Sequence, residues 1–252
     1  MVSSSSQREV AGNVCGRYLL KALSAEIIQH FELVDGLDYF DEHGYKFDRE
    51  VFPGEPILAI NKYHLPEDLW WTIRDRTFDG KITNAINARS ETVAKVTMFR
   101  DAFKSDRVLI PASAIYEWQQ QPDGSKARFA ISFDTPLFAL AGIARDCEIK
   151  GTIRRATAIL TTTPNNIFRE IHNVKQRQAV VIRESDYERW LDPRTSLDEL
   201  KPLMQPLPDE VTHAKEAPEP ATTTSKIGKD KDRAEDSSGR EVDHPEQPSL
   251  LF

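Results

Sequence analysis

The sequence predicts a mixed α+β fold built mainly on antiparallel sheet, and three observations predict it. Four strand-like runs, RVLIPASAIYEWQQ, KARFAISFD, PLFALAGIARD and RRATAILTTT, follow one another between Arg107 and Thr163, separated by turn signals such as QPDGS. Helical spacing is confined to short interspersed segments. Regular βαβ alternation and a Gly-rich phosphate loop are both missing from the sequence, which argues against a doubly wound fold.

Each element has its own signal. Residues 1–13 are polar and Ser-rich, the composition of a loose arm. CGRYLL is apolar and β-compatible, and SAEIIQHFEL has helical spacing with Ser24 as its cap. EVFPGEPILAI reads as a Pro-Gly turn feeding a strand. LPEDLWWTI is rich in aromatics, and NARSETVAKVTMFRDAF joins a polar loop to a helix pattern. Beyond the four strands, TPNNIFREIHN reads as a capped helical turn, QAVVI as a short strand and SDYERWL as a helix capped by Ser185.

At 252 residues the chain can bury one sizeable core with extensions. From Gln205 to Phe252 it carries 6 Lys/Arg and 11 Asp/Glu, with no Leu, Met, Phe, Trp or Tyr between Leu207 and Leu250. Such a segment cannot bury enough apolar surface to offset its ordering entropy, so residues 205–252 are expected to form a disordered acidic tail. Removing it from 33 basic and 40 acidic residues leaves 27 and 29, so the net charge of −7 falls to −2. Any anion site must therefore arise from local arrangement. Two cysteines, Cys15 and Cys147, make neither a disulfide framework nor a metal-ligand spacing. No run approaches a membrane span and MVSSSSQREVAGN has no apolar signal region, so a cytoplasmic protein is expected.

Several polar residues sit where packing does not require them, and each has a bland reading. Glu117, inside AIYEW, suits the solvent face of an alternating strand. Asn87 suits a turn, and His172 suits a helix end facing the dipole. Cys15 suits a small buried hydrophobe. Cys147, in RDCEIKG, reads as a loop residue without a role.

Taken together, CGRY, NARSET, RVLIPASAIYEW, FALAGI, AILTTTPN and IHNVKQRQAVVI resemble, in order and spacing, the SRAP (SOS response-associated peptidase) family. The resemblance spans roughly Cys15 to Asp192. It implies a catalytic domain over 15–204, with antiparallel sheets forming a barrel-like core flanked by helices. It also implies covalent protection of abasic sites in single-stranded DNA, shielding them during replication and SOS repair, through a cysteine at the N-terminus. An α-amine and a thiol on adjacent carbons can capture the ring-opened aldehyde as an imine and then a five-membered thiazolidine. By the same resemblance Glu117 and His172 carry the proton transfers, and Asn87 bonds the reacting centre. Arg17, Arg89 and Arg177 face phosphates, while Trp118 and Trp70 support unstacked bases. No metal or cofactor is implied, and a nucleoid-associated monomer is expected.

The sequence departs from the family pattern in three places. The late motif usually continues Arg-Met-Pro, and here it reads Arg177-Gln178-Ala179. LWWTIRDR stands where the family commonly has Trp-Gly and a proline. Fourteen residues precede Cys15, whose nitrogen is then an amide that permits only a reversible thiohemiacetal. Residues 1–14 are expected to be removed by attack of Cys15 on the Val14 carbonyl, or never translated. A GTG start codon would read as Val14, and initiation there gives Met-Cys-Gly-Arg, which permits Met removal. At the other end, Gln247-x-x-Leu250-x-Phe252 resembles the peptide that docks bacterial repair proteins on the sliding clamp. Two further readings remain open: a thiol peptidase with His172 as the base of Cys15, and a noncatalytic adaptor for DNA and clamp.

Overall fold

The computed structural model describes residues 15–45, 47–76 and 79–219. In chain order these form β1 (Tyr18–Lys21), α1 (Ser24–His30), α2 (Gly36–His43), β2 (Asp48–Val51), β3 (Pro56–Ile60), β4 (Pro66–Trp71), β5 (Ile73–Arg76), β6 (Ile82–Ala85) and β7 (Asn87–Arg89). There follow α3 (Thr97–Ser105), β8 (Arg107–Ala112), β9 (Ala114–Gln120), β10 (Lys126–Phe133), β11 (Phe138–Ile149) and β12 (Thr152–Thr162). The described chain ends with α4 (Asn166–Ile171), β13 (Gln178–Ala179), β14 (Val181–Ile182), α5 (Tyr187–Leu191), α6 (Leu197–Leu203) and β15 (Thr212–Glu216).

Five strands close into a ring, β12-β4-β3-β8-β11 and back to β12, antiparallel throughout except for the parallel β12–β4 pair. The expected α+β fold with a barrel-like core is therefore correct. The long β12 makes closure possible because both of its edges are used along its length. One edge takes β11 and then β13, while the other takes β4 and then β7. Residues that share one face of this ring, such as Ile57, Leu69, Trp71, Val108 and Ile159, are almost wholly buried. Each such side chain contributes about 1.5–3 kcal/mol through burial. Gly142 of β11 is there for space: a Cβ would stand 2.7 Å from Val108 Cγ2 and 2.8 Å from Ile110 Cδ1. A second sheet, in the order β15-β10-β9-β1-β2, carries the strands next to Cys15.

Local chemistry departs from expectation at several points. Leu23, not Ser24, is the cap residue of α1, and the Glu26 carboxylate accepts the Leu23 N–H at 2.7 Å. Ser185 lies in a 3₁₀ turn before α5 instead of capping it. QAVVI divides into β13 and β14, because Val180 bridges strands of the barrel by donating to Leu160 O and accepting from Ala141 N. The α2 helix, the β5–β6 hairpin and α6 had no clear sequence signal. The expected tail boundary at 205 is too early. Thr212–Glu216 pair with β10 over five residues, and the compact unit closes at Pro218. Sheet pairing satisfies this polar segment where its own apolar content could not. The arm over 1–14 lies outside the described residues, as do Gln247, Leu250 and Phe252. No helix among the described residues is long and apolar enough to cross a membrane.

Candidate active site

Cys15 enters immediately ahead of β1 and is buried, with φ at 46°. That left-handed backbone costs a non-glycine residue about 1–2 kcal/mol. β1 and β9 pair at Tyr18↔Ile115 and Leu19↔Ala114. Stepping back from Tyr18 toward Cys15 therefore steps forward along β9 toward Trp118, and this brings Cys15 beside Glu117. The carboxyl of Glu117, only 2% exposed, is close enough to Cys15 for that residue's thiol and backbone N–H both to act on its ionisation, and its Oε1 has no hydrogen-bond partner among the described residues. Alternation along β9 turns Glu117 to the opposite face from Tyr116 and Trp118. The solvent-facing reading of Glu117 is thus incorrect.

His172 arrives from the other side. Asn165 caps α4 by accepting the Phe168 N–H at 2.9 Å, and His172 terminates that helix with its N–H on Phe168 O at 2.7 Å. Its Nδ1 lies 2.8 Å from the Arg177 carbonyl, an atom that only accepts, so Nδ1 carries the proton. In the neutral ring Nε2 is then a bare acceptor, and it faces Glu117 Oε2 at 3.9 Å. Burial raises the pKa of Glu117, opposed by His172 and by Cys15. Burial, and then the Glu117 charge, hold the Cys15 thiol well above its usual value. The backbone N–H of Ala179 and the charge of Arg177 act in the opposite direction. The centre thus joins a thiol, a backbone nitrogen, a carboxyl inclined to hold a proton and an imidazole nitrogen able to take one.

Residues 14–219 match the model of the SOS response associated peptidase (SRAP) family. The chain belongs to the SRAP family. It is 31% identical over 201 residues to the abasic site processing protein YoaM of Bacillus subtilis, covering 77% of this chain and 86% of that one. Against YobE of the same organism, also named an abasic site processing protein, identity is 29%, with 77% and 89% covered. The fold is shared with a crystal structure from Bacteroides thetaiotaomicron, at TM-score 0.72 and 19% identity over 81% of this chain and 93% of that one. It is also shared with one from Bordetella bronchiseptica, at TM-score 0.67 and 18% identity over 81% and 100%.

Around this SRAP centre the remaining expected residues occupy unequal positions. The register Asn87↔Ile159, Ala88↔Leu160 and Arg89↔Thr161 lays β7 along the end of β12. Asn87 Nδ2 points to Ile159 O at 3.4 Å, and Arg89 is exposed. Arg17 is held between two rings, its guanidinium 4.6 Å from the Phe52 centroid and 4.9 Å from that of Trp118. Glu50 lies 3.5 Å away. Arg177 does not present a free fork to phosphate. Glu91 takes Nη1 and Nη2 at 2.6 and 2.9 Å, and the Thr161 carbonyl takes Nη2 at 2.7 Å. Trp70 is not brought to the centre either. It pairs with Ala156, five residues along β12 from Thr161 and hence about 17 Å away along the strand. Its ring lies under Arg154 and Lys150 at 5.3 and 5.7 Å. Sequence reasoning missed Phe52, Glu91 and Ala179. Glu91 was within reach, since it stands in the quoted NARSET beside the expected arginines. Phe52 and Ala179 depend on strand register and left no local signal. Cys147, expected in a loop, is a buried residue of β11 whose sulfur accepts the Arg74 N–H at 3.4 Å.

Proposed function

We propose that this SRAP protein processes abasic sites in single-stranded DNA by forming a covalent thiazolidine with Cys15 once that residue is N-terminal. The observation that carries this reading is the burial of the Glu117 carboxyl beside Cys15, with its Oε2 3.9 Å from His172 Nε2. A carboxyl beside both future nucleophiles stands where both bonds to the aldehyde carbon must form. The α-amine adds to the carbonyl carbon to give a carbinolamine. Loss of one water leaves an imine, and the sulfur then adds to the imine carbon while nitrogen regains a proton. One water is released overall, and no oxidant or cofactor is consumed.

Glu117, its proton held by burial, protonates the departing hydroxyl. His172 Nε2, the acceptor of the neutral ring whose Nδ1 donates to Arg177 O, relays protons to and from the carboxyl. Asn87 and the exposed Arg89 hold the DNA strand at the end of β12, and Arg17 and Trp118 extend the contact along β9 and β1. Removal of residues 1–14 frees the amine and releases the left-handed constraint on Cys15. The terminal Gln247-x-x-Leu250-x-Phe252 docks the protein on a bacterial sliding clamp while the folded body holds DNA.

Glu117, and not His172, is the side chain that acts on the ionisation of the Cys15 thiol, which favours aldehyde capture over thiol peptidase chemistry. A denaturing gel after incubation with an abasic oligonucleotide tests the reading. Protein whose intact mass begins at Cys15 gives a one-to-one shifted band that Cys15→Ala abolishes. No band from protein with that confirmed N-terminus refutes it. Clamp binding that survives deletion of 247–252 refutes the docking role.

A further inference from the structure

One face of the sheet β15-β10-β9-β1-β2 gathers arginines and aromatic rings about the carboxylate of Glu50. The registers Leu19↔Glu50, Leu19↔Ala114 and Arg128↔Trp118, with alternation along each strand, set Arg17, Glu50, Phe52, Tyr116, Trp118 and Arg128 on that face. Arg128, only 5% exposed, lays its guanidinium 3.7 Å from the Tyr116 centroid. It donates through Nη1 to Pro218 O at 3.3 Å and through Nη2 to Glu50 Oε1. Glu50 turns its other oxygen, Oε2, to Arg17 Nη1 at 3.5 Å. Arg17 in turn lies between the Phe52 and Trp118 rings. The contacts therefore run from a buried anchor, through one carboxylate, to an arginine that still reaches solvent.

We propose that Glu50, anchored by Arg128, is a positioning residue for DNA: it holds the Arg17 guanidinium in the orientation that meets a phosphate of the single strand. The proposal rests on the DNA contact of Arg17 in the function proposed above. Rings on two sides confine a guanidinium but give its N–H groups no direction, whereas a carboxylate oxygen at one Nη does. An arginine that is free to turn loses rotamer entropy when it docks, and one already ordered loses less. Arg128 supplies the rigidity, because a carboxylate held from behind at Oε1 cannot follow the motion of Arg17. The same carboxylate repels phosphate. Charge alone and positioning therefore predict opposite signs for its removal.

The test is a fluorescence-anisotropy titration of an undamaged, dye-labelled single-stranded oligonucleotide with the full chain, at fixed salt and at a temperature where circular dichroism shows each variant folded. Glu50→Gln removes a negative charge, and repulsion alone predicts tighter binding. Positioning predicts binding weaker by roughly threefold to tenfold. Arg128→Lys, which keeps the charge but lacks the planar fork that holds Glu50, is expected to weaken binding in the same direction. In an Arg17→Ala background neither substitution should weaken binding further. Tighter or unchanged binding by Glu50→Gln overturns the proposal, as does an equal loss with and without Arg17. A loss in Arg17→Ala with none in Glu50→Gln removes the positioning and leaves the DNA contact of Arg17 standing. An Arg17→Ala protein that binds as wild type does, or a wild type that does not bind, overturns that contact and the positioning with it. The oligonucleotide carries no aldehyde, so crosslinking stands or falls separately, on the denaturing gel.

Discussion

Glu117 is buried beside Cys15, close enough for that residue's thiol and backbone N–H both to act on its carboxyl. One carboxyl thereby addresses both nucleophiles of a thiazolidine, and its burial makes the arrangement sensitive to pH. Glu117→Gln keeps the shape and an accepting oxygen but removes the titrating proton. Crosslinking should slow by about 10²–10⁴-fold, the usual contribution of general acid–base catalysis. Stability should move the other way. The raised pKa means that the folded chain holds this proton more tightly than the unfolded chain does. The associated stability is fully present below the unfolded carboxyl value and is lost as pH rises through the folded value. The melting temperature of Glu117→Gln should thus gain on wild type across that window and stay ahead above it. A wild-type advantage at neutral pH would contradict the assignment.

The arginines separate by what already occupies them. Arg177 is held by Glu91 and Thr161, whereas Arg89 is exposed beside the same strand end. In Arg89→Ala the salt dependence of single-stranded DNA binding should fall by about 0.7 of a charge. In Arg177→Ala the slope should stay near that of wild type. Equal losses in the two variants would show that Arg177 leaves Glu91 to meet phosphate.

The same ion pair predicts an acid-side stability effect. Bonding to Arg177 lowers the pKa of Glu91, with burial opposing it. A lowered carboxyl pKa contributes stability above the unfolded value, lost as pH falls through the folded value. The pair is largely solvent-facing on the Glu91 side, so its worth is modest. The melting-temperature deficit of Arg177→Ala should therefore be present at neutral pH and shrink in acid. A deficit that grows on acidification would mean that Glu91 is not the partner that matters.

The strands between Arg107 and Thr163 were legible because hairpin turns and β-branched runs are local signals. The centre was legible only in part. Alternation along AIYEW leaves the inward face undetermined, and it is the tertiary placement of Cys15, in a left-handed backbone beyond the paired residues of β1, that sets Glu117 beside it. The surroundings of Arg177 and Trp70 were not legible because what holds them is remote in sequence: Glu91 and Thr161 for the first, Ala156 for the second. Thr212–Glu216 looked like tail because a strand that completes a sheet edge can be satisfied by backbone bonds to β10 with few apolar residues of its own.

That last strand leads to a prediction about His172. Asp209 accepts the Asn166 N–H at 2.9 Å and its Nδ2 at 2.6 Å. Asn165 Nδ2 donates to Leu207 O at 3.0 Å and to Thr212 Oγ1 at 2.9 Å. The segment after 205 thus fixes the start of α4, and His172 stands at the other end of that short helix. Asp209→Ala should cost about 1–2 kcal/mol through lost bonds at the helix start, or about 2–8 °C in a chain of this size. Crosslinking should slow as His172 loses its fixed distance from Glu117. Truncation after Glu219 should leave the melting temperature unchanged, whereas truncation after Gln205 should lower it by more than Asp209→Ala does, because β15 is lost as well. Calorimetry on the three variants, with crosslinking rates measured well below each melting temperature, checks the chain of cause. A Gln205 truncation as stable and as fast as wild type would show that α4 holds His172 without help from the segment that follows.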